Sequence, residues 1–145
     1  MRRLLLGGLL LWAWPALAAP LMASKVGDMR QAMDDLTAAA MNHDMQLVKE
    51  QPIDTAMVKR GFDDPHVRIA FIGSETAVRW AEEVEPRLLN LLPMRISLIQ
   101  RGNQVVAMTD DLALWQEAFK DSPGLELLQA WEAELREVLR DFAGE

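Results

Sequence analysis

Residues 95–108 carry the pattern that most limits what this chain can fold into. Arg95 to Arg101 alternates, with Ile96, Leu98 and Gln100 on one side and Ser97 and Ile99 on the other. Gln104 to Met108 reads as a second strand, and Gly102-Asn103 between them is a two-residue turn of the kind that closes a hairpin. Strands joined this tightly pair antiparallel, so the fold must contain an antiparallel sheet.

The rest of the chain supplies helices and further strands. Val26, Met29, Met33, Leu36 and Ala40 recur at steps of three and four, which predicts a helix over 25–41 with Asn42 as its left-handed stop. Met45 to Lys49 alternates and reads as a strand closed by Gln51-Pro52-Ile53. Asp54 to Lys59 is a short polar turn of helix or irregular chain, and residues 61–65 are a loop. Val67 to Ile72 is an apolar central strand. Ser74 is a good N-cap with Glu75 in the first turn, and Val78, Ala81 and Val84 mark the inner side of that helix up to Pro86. An apolar connector runs from Leu88 to Pro93. Asp110-Asp111 caps a short helix that puts Leu112, Trp115 and Phe119 on one face. Ser122 as cap and Pro123 at the first position start the last helix, striped by Leu128, Trp131, Leu135, Val138 and Phe142. No repeat, low-complexity tract or long linker divides the chain, which reads as one domain.

The start of the chain is an address. Arg2-Arg3 precedes an uncharged stretch, Leu4 to Trp14, and then Pro15-Ala16-Leu17-Ala18, a small-x-small end of the kind signal peptidase reads. The expected cut after Ala18 makes residues 1–18 a cleaved secretory signal peptide and 19–145 the working domain, in a bacterial periplasm. The apolar run is about half of the ~20 residues needed to span a bilayer, so no stable membrane anchor is expected after cleavage. Losing Arg2 and Arg3 lowers the net charge from −7 to −9. That excess argues against nucleic acid or an anionic membrane as partner and would suit a cation or a basic partner. With no cysteine anywhere, the chain must hold by its core alone, and thiol catalysis and Cys-ligated metal sites are excluded.

The order helix, strand, strand, helix, hairpin, closing helix resembles the family called domain of unknown function 302. The resemblance rests on Val67-Arg68-Ile69-Ala70-Phe71-Ile72 leading into the helix from Ser74, on Leu92-Pro93-Met94-Arg95-Ile96 at the start of the hairpin, and on Ala38 to Val48 followed by Ile53 and Gly61. It covers roughly residues 29 to 110, with the last helix as a C-terminal extension. The resemblance implies an α+β fold: a single antiparallel sheet of about four strands with two to three helices on one face, similar to the TATA-binding-protein architecture. Relatives that carry a cysteine before the second helix and another after the Leu-Pro pair differ from this chain, which reads Phe71-Ile72-Gly73 and Leu92-Pro93-Met94 there. The first strand usual in the family looks absent or degraded, because Leu21 to Lys25 is short.

Three function classes follow. The favoured one is a non-catalytic periplasmic binding or interaction protein without a cofactor. It would hold a small apolar ligand, with Trp115 and Trp131 lining a pocket against the sheet, or dock a protein partner, a second copy included. The second is a copper or other soft-metal binder using His43 and Met45, with Met41 as a third ligand, since thioether and imidazole together suit copper. If residues 43–45 are extended, His43 and Met45 point the same way; the competing reading is a helix C-cap turn beside packing methionines. The third is an enzyme working through carboxylates such as Asp63, Asp64 or Glu82, for which no pairing is visible. Of the two histidines, His66 follows Asp63-Asp64-Pro65 in what reads as a solvated loop. No serine stands in a Gly-x-Ser-x-Gly elbow, so no catalytic residue is assigned. The last helix, with Glu132, Glu134, Glu137 and Asp141 among Arg136 and Arg140, reads as a solvated face with i,i+4 pairs, or as a docking helix.

Overall fold

A computed structural model describes residues 20–51 and 64–145. The leader and the segment read as Pro52-Ile53, Asp54–Lys59 and the loop from Gly61 to Asp63 lie outside the described residues. The hairpin forms as expected: β4 (Met94–Arg101) and β5 (Gln104–Thr109) pair antiparallel, Arg101 opposite Gln104, around Gly102 at φ 60°. Its inner face buries Met94, Ile96, Leu98, Val105 and Ala107. Gln100, on the same side as Ile96 and Leu98, accepts the Met29 N–H (3.1 Å) and so caps a helix rather than packing.

Five strands form the sheet, in the order β1-β5-β4-β3-β2, all antiparallel. The expected count of about four is therefore low by one. The extra strand is β1 (Leu21–Val26), the segment that looked too short. Leu21, Ala23 and Lys25 face inward, and Lys25 blurs what would be an apolar alternation. Its ammonium pairs with Asp35 and lies 5.5 Å from the centre of the Phe142 ring, so the lysine pins β1 to two helices. The local signal for this strand was the Gly27-Asp28 turn. Gly27 sits at φ 150°, and the Asp28 side chain accepts the Gln31 N–H to start α1 (Met29–Asn42). The helix predicted from residue 25 thus begins at 29, and Val26 belongs to the strand, 66% exposed.

β2 (Gln46–Gln51) is bulged between Leu47 and Lys49, which breaks its expected alternation. β3 (Val67–Gly73) lies between β2 and β4 and buries Ala70 and Ile72. Ser74 caps α2 (Glu75–Val84), accepting the Ala77 N–H at 3.0 Å. That helix turns Ala77 and Ala81 inward and leaves Val78 36% exposed. Ala81 is buried as expected, whereas Ala77 takes the inner place expected of Val78, because small residues permit close approach to the last helix. A 3₁₀ stretch from Pro86 to Leu91 follows. α3 (Ala113–Ala118) is short. Leu112 and Phe119 beside it are buried, whereas Trp115 is 37% exposed and stacks on Phe119.

The last helix, α4 (Gly124–Ala143), supplies the core. Its predicted stripe is buried throughout, joined by Leu127 and Leu139. Each such side chain contributes roughly 1.5–3 kcal/mol of burial. The helix packs on α1 and β1, so the first described strand and the last helix share one core. No helix among the described residues is long and apolar enough to cross a membrane.

Candidate functional site

The end of α1 decides how the Met41–His43–Met45 cluster is arranged. The left-handed residue is Asp44, at φ 56°, two positions beyond the expected stop at Asn42. His43 is the C-cap, and the Met45 N–H bonds the Ala40 carbonyl at 2.9 Å. This six-to-one bond around a left-handed residue is a Schellman turn, which drives the following apolar side chain back under the helix. Met45 is therefore in the core, 2% exposed, while Met41 projects outward at 66%. His43 leans on α4: its Nε2 lies 3.0 Å from Asp141 Oδ2, which also accepts from Asn42 Nδ2 at 3.3 Å. Ligation of one metal by all three would require Met45 to leave the core and His43 to leave Asp141. Among the described residues no group of three or more His, Cys, Asp or Glu is placed to hold a metal ion.

His43 and Asp44 form one rim of a cleft of about 500 Å³. The opposite wall is the start of α2, with Ser74 and the half-exposed Trp80; the floor is α4, with Trp131 and Glu134. The cleft exists because two capped ends, the Schellman end of α1 and the Ser74 cap of α2, converge over α4. Its acids are Asp44, Glu75 and Glu134, of which Glu75 is paired with Arg79 on α2. The Glu134 carboxyl is pushed up from its ordinary value, first by burial and then by the charge of Asp44, with His43 pulling the other way. Its side chain still reaches solvent at the cleft mouth. Among the described residues it makes no hydrogen bond or ion pair, whereas Glu132 and Glu137 on the same helix hold Arg136 (2.6 Å) and Arg140 (2.7 Å). Sequence reading grouped all these acids as one solvated face. Only the approach of the α1 turn separates Glu134 from its neighbours.

The other candidates are dispersed. Trp115 and Trp131 do line a common groove, of about 240 Å³, beside Met94 and Leu135. Trp131 itself is 1% exposed and serves as core. Asp64 spends its carboxylate on His66, accepting the backbone N–H at 2.9 Å and lying 3.1 Å from the ring Nδ1. Its pKa is lowered chiefly by that backbone bond. Glu82 is exposed on α2, and Asp63 is outside the described residues. The tightest polar cluster is one the sequence did not suggest. Glu85, only 8% exposed, receives Arg87 Nε and Nη2, each at 2.7 Å, and the Ser122 hydroxyl at 2.7 Å. Ser122 in turn accepts the Gly124 N–H at 3.1 Å, while the cap position itself falls on Pro123, one residue later than expected. Arg87 also covers the Phe119 ring at 4.7 Å. Every partner is satisfied, and the cluster joins the end of α2 to the start of α4.

Comparison with known proteins places the architecture. No curated protein matches the chain. Among solved structures it is similar to an uncharacterized conserved protein DUF302 from Bacillus stearothermophilus, with a TM-score of 0.70 at 13% identity over 84% of this chain and 96% of that one. At that identity the likeness speaks for the fold alone. The family described as domain of unknown function DUF302 matches residues 21–142, from β1 to the end of α4. The five-stranded antiparallel sheet with its packed helices and this match together show that the chain belongs to the DUF302 family.

Proposed function

We propose that the chain is exported through residues 1–18 and acts in the periplasm as a non-catalytic binding protein, holding a small positively charged organic ligand in the cleft around Glu134. The observation that carries this reading is Glu134 itself. It stands in the cleft beside Asp44 and makes no ion pair among the described residues, while its neighbours on α4, Glu132 and Glu137, are paired. A bound cation gives this unpaired carboxylate a partner, and the half-exposed Trp80 on the same cleft suits an ammonium group. The excess of acidic residues adds a long-range attraction of the same sign. The leader's n-region, apolar run and small-x-small end support export.

The test is calorimetric titration of the purified protein with choline and with a primary diamine, with Trp fluorescence as a second readout. Saturable binding by either, lost in Glu134→Gln and weakened in Trp80→Ala, is the expected result. No heat and no fluorescence change with both classes sinks the ligand assignment. N-terminal sequencing of the exported protein tests the address, with Ala19 as the expected first residue.

A further inference from the structure

The two edges of the sheet are finished differently, and β1 is the open one. β2, at the far edge, carries its bulge beside charged Lys49 and Glu50, devices that discourage edge pairing. β1 pairs with β5 without a bulge, contains no proline, and turns its single charge, Lys25, inward to Asp35. Its other face leaves Met22 and Val26 56% and 66% exposed, with Ser24 exposed between them.

The direction of its backbone groups follows from one bond. Gly27 N–H donates to the Asn103 carbonyl at 2.9 Å, one step beyond the Val26–Gln104 pair. Hydrogen-bonded and non-bonded pairs alternate along an antiparallel ladder. Lys25, Ala23 and Leu21 therefore bond to β5, and Met22, Ser24 and Val26 aim their N–H and C=O groups at the open edge. Among the described residues nothing pairs with them. A groove of about 590 Å³ runs along this edge, walled by β1 and by Leu139, Arg140 and Ala143 of α4. The two arginines on that wall, Arg136 and Arg140, are paired within α4 by Glu132 and Glu137, which leaves Glu145 at the end of the groove as its acid outside those pairs.

We infer that β1 is a homodimer interface, pairing antiparallel with β1 of a second copy about a two-fold axis through Ser24 and joining two sheets into one. The register selects this occupant. With the axis at Ser24, the three open residues meet their own kind: Ser24 opposite its counterpart, Met22 opposite Val26 and Val26 opposite Met22. Every free group is then used, in about six new backbone hydrogen bonds, and the exposed Met22 and Val26 cover each other. An axis at Ala23 sets Val26 against Pro20, which has no N–H to give. An axis at Lys25 sets two ammonium groups face to face. This interface shares no lining residue with the cleft around Glu134 and stands without that proposal.

Light scattering after size exclusion tests the idea on the full chain. The expected mass is twice that of the single chain. Ser24→Lys and Ser24→Asp each put like charges opposite each other at the axis, in a position exposed in the monomer, so each variant is expected to run as a folded monomer. Mixing the two restores a dimer containing one copy of each. Because the chain has no cysteine, Ser24→Cys supplies a single thiol, and the ~5.5 Å Cα separation of a bonded pair lies within disulfide range. Oxidation is expected to give a covalent dimer. A monomeric wild-type protein overturns the inference, whether its edge is free or serves another protein's strand. A Ser24→Lys variant that remains dimeric overturns it as well.

Discussion

Gly124 opens α4 at the point where the helix passes Glu85, and Gly124→Ala tests how rigid that crossing is. In most helices this change helps, by up to about 1 kcal/mol, because alanine loses less backbone entropy. Here an added Cβ would sit 2.8 Å from Glu85 Cγ, 2.9 Å from Glu85 Cβ and 3.0 Å from Leu88 Cδ1. Carbon contacts are best near 3.5–4.0 Å, so about 0.5–1 Å must be recovered by movement. Glu85 is poorly placed to yield: its carboxylate is held by Arg87 at two points and by Ser122 at a third. Leu88 is fully buried. Forced overpacking costs about 1–3 kcal/mol. Against a helix-propensity gain of at most about 1 kcal/mol, the net loss is up to about 2 kcal/mol, or up to roughly 8 °C in Tm for a domain of this size. Urea and thermal unfolding followed by circular dichroism measure it, with the m-value expected to stay constant. The cost is expected to shrink in a Glu85→Ala background, where the nearest atom is gone. A Gly124→Ala protein as stable as wild type, or more so, refutes the reasoning.

Other outcomes follow from the same geometry. Hydrogen bonds from Arg87 and Ser122 lower the Glu85 pKa from 4.5 to about 2. Its contribution to stability is therefore complete above 4.5 and is lost as pH falls toward about 2; Glu85→Gln should flatten the dependence of the urea midpoint on pH in that window. Glu134 is shifted the other way, so cation affinity should weaken with falling pH already above the ordinary carboxylate range, and a titration series across mildly acidic pH reads this directly. Met45→Ala removes a buried side chain and should cost about 2–4 kcal/mol in unfolding experiments, whereas His43→Ala should cost less than ~1 kcal/mol, since its pairing with Asp141 is partly exposed. Copper titration of the same two variants checks the soft-metal alternative: tight uptake that His43→Ala abolishes would favour a metal site over the core role of Met45.

What the sequence by itself determined was everything carried by short-range periodicity and turn chemistry. The Gly102-Asn103 hairpin, the Ser74 cap and the stripe from Leu128 to Phe142 needed only local rules, whereas the single sheet with packed helices came from the family resemblance. The junctions at Val67–Ile72 and Leu92–Ile96 also pointed to the family. Where an element's identity depended on a distant partner, local pattern misled. β1 hid because Lys25 faces the core, where Asp35 of the next helix and Phe142, at the far end of the chain, receive its charge. Met41, His43 and Met45 looked like one cluster by spacing, yet the left-handed Asp44 divides them between solvent, helix surface and core. Glu134 looked like any other acid of α4 until the α1 turn came down beside it. Burial and charge environment are properties of where chain segments meet, and only the tertiary structure brings those segments together.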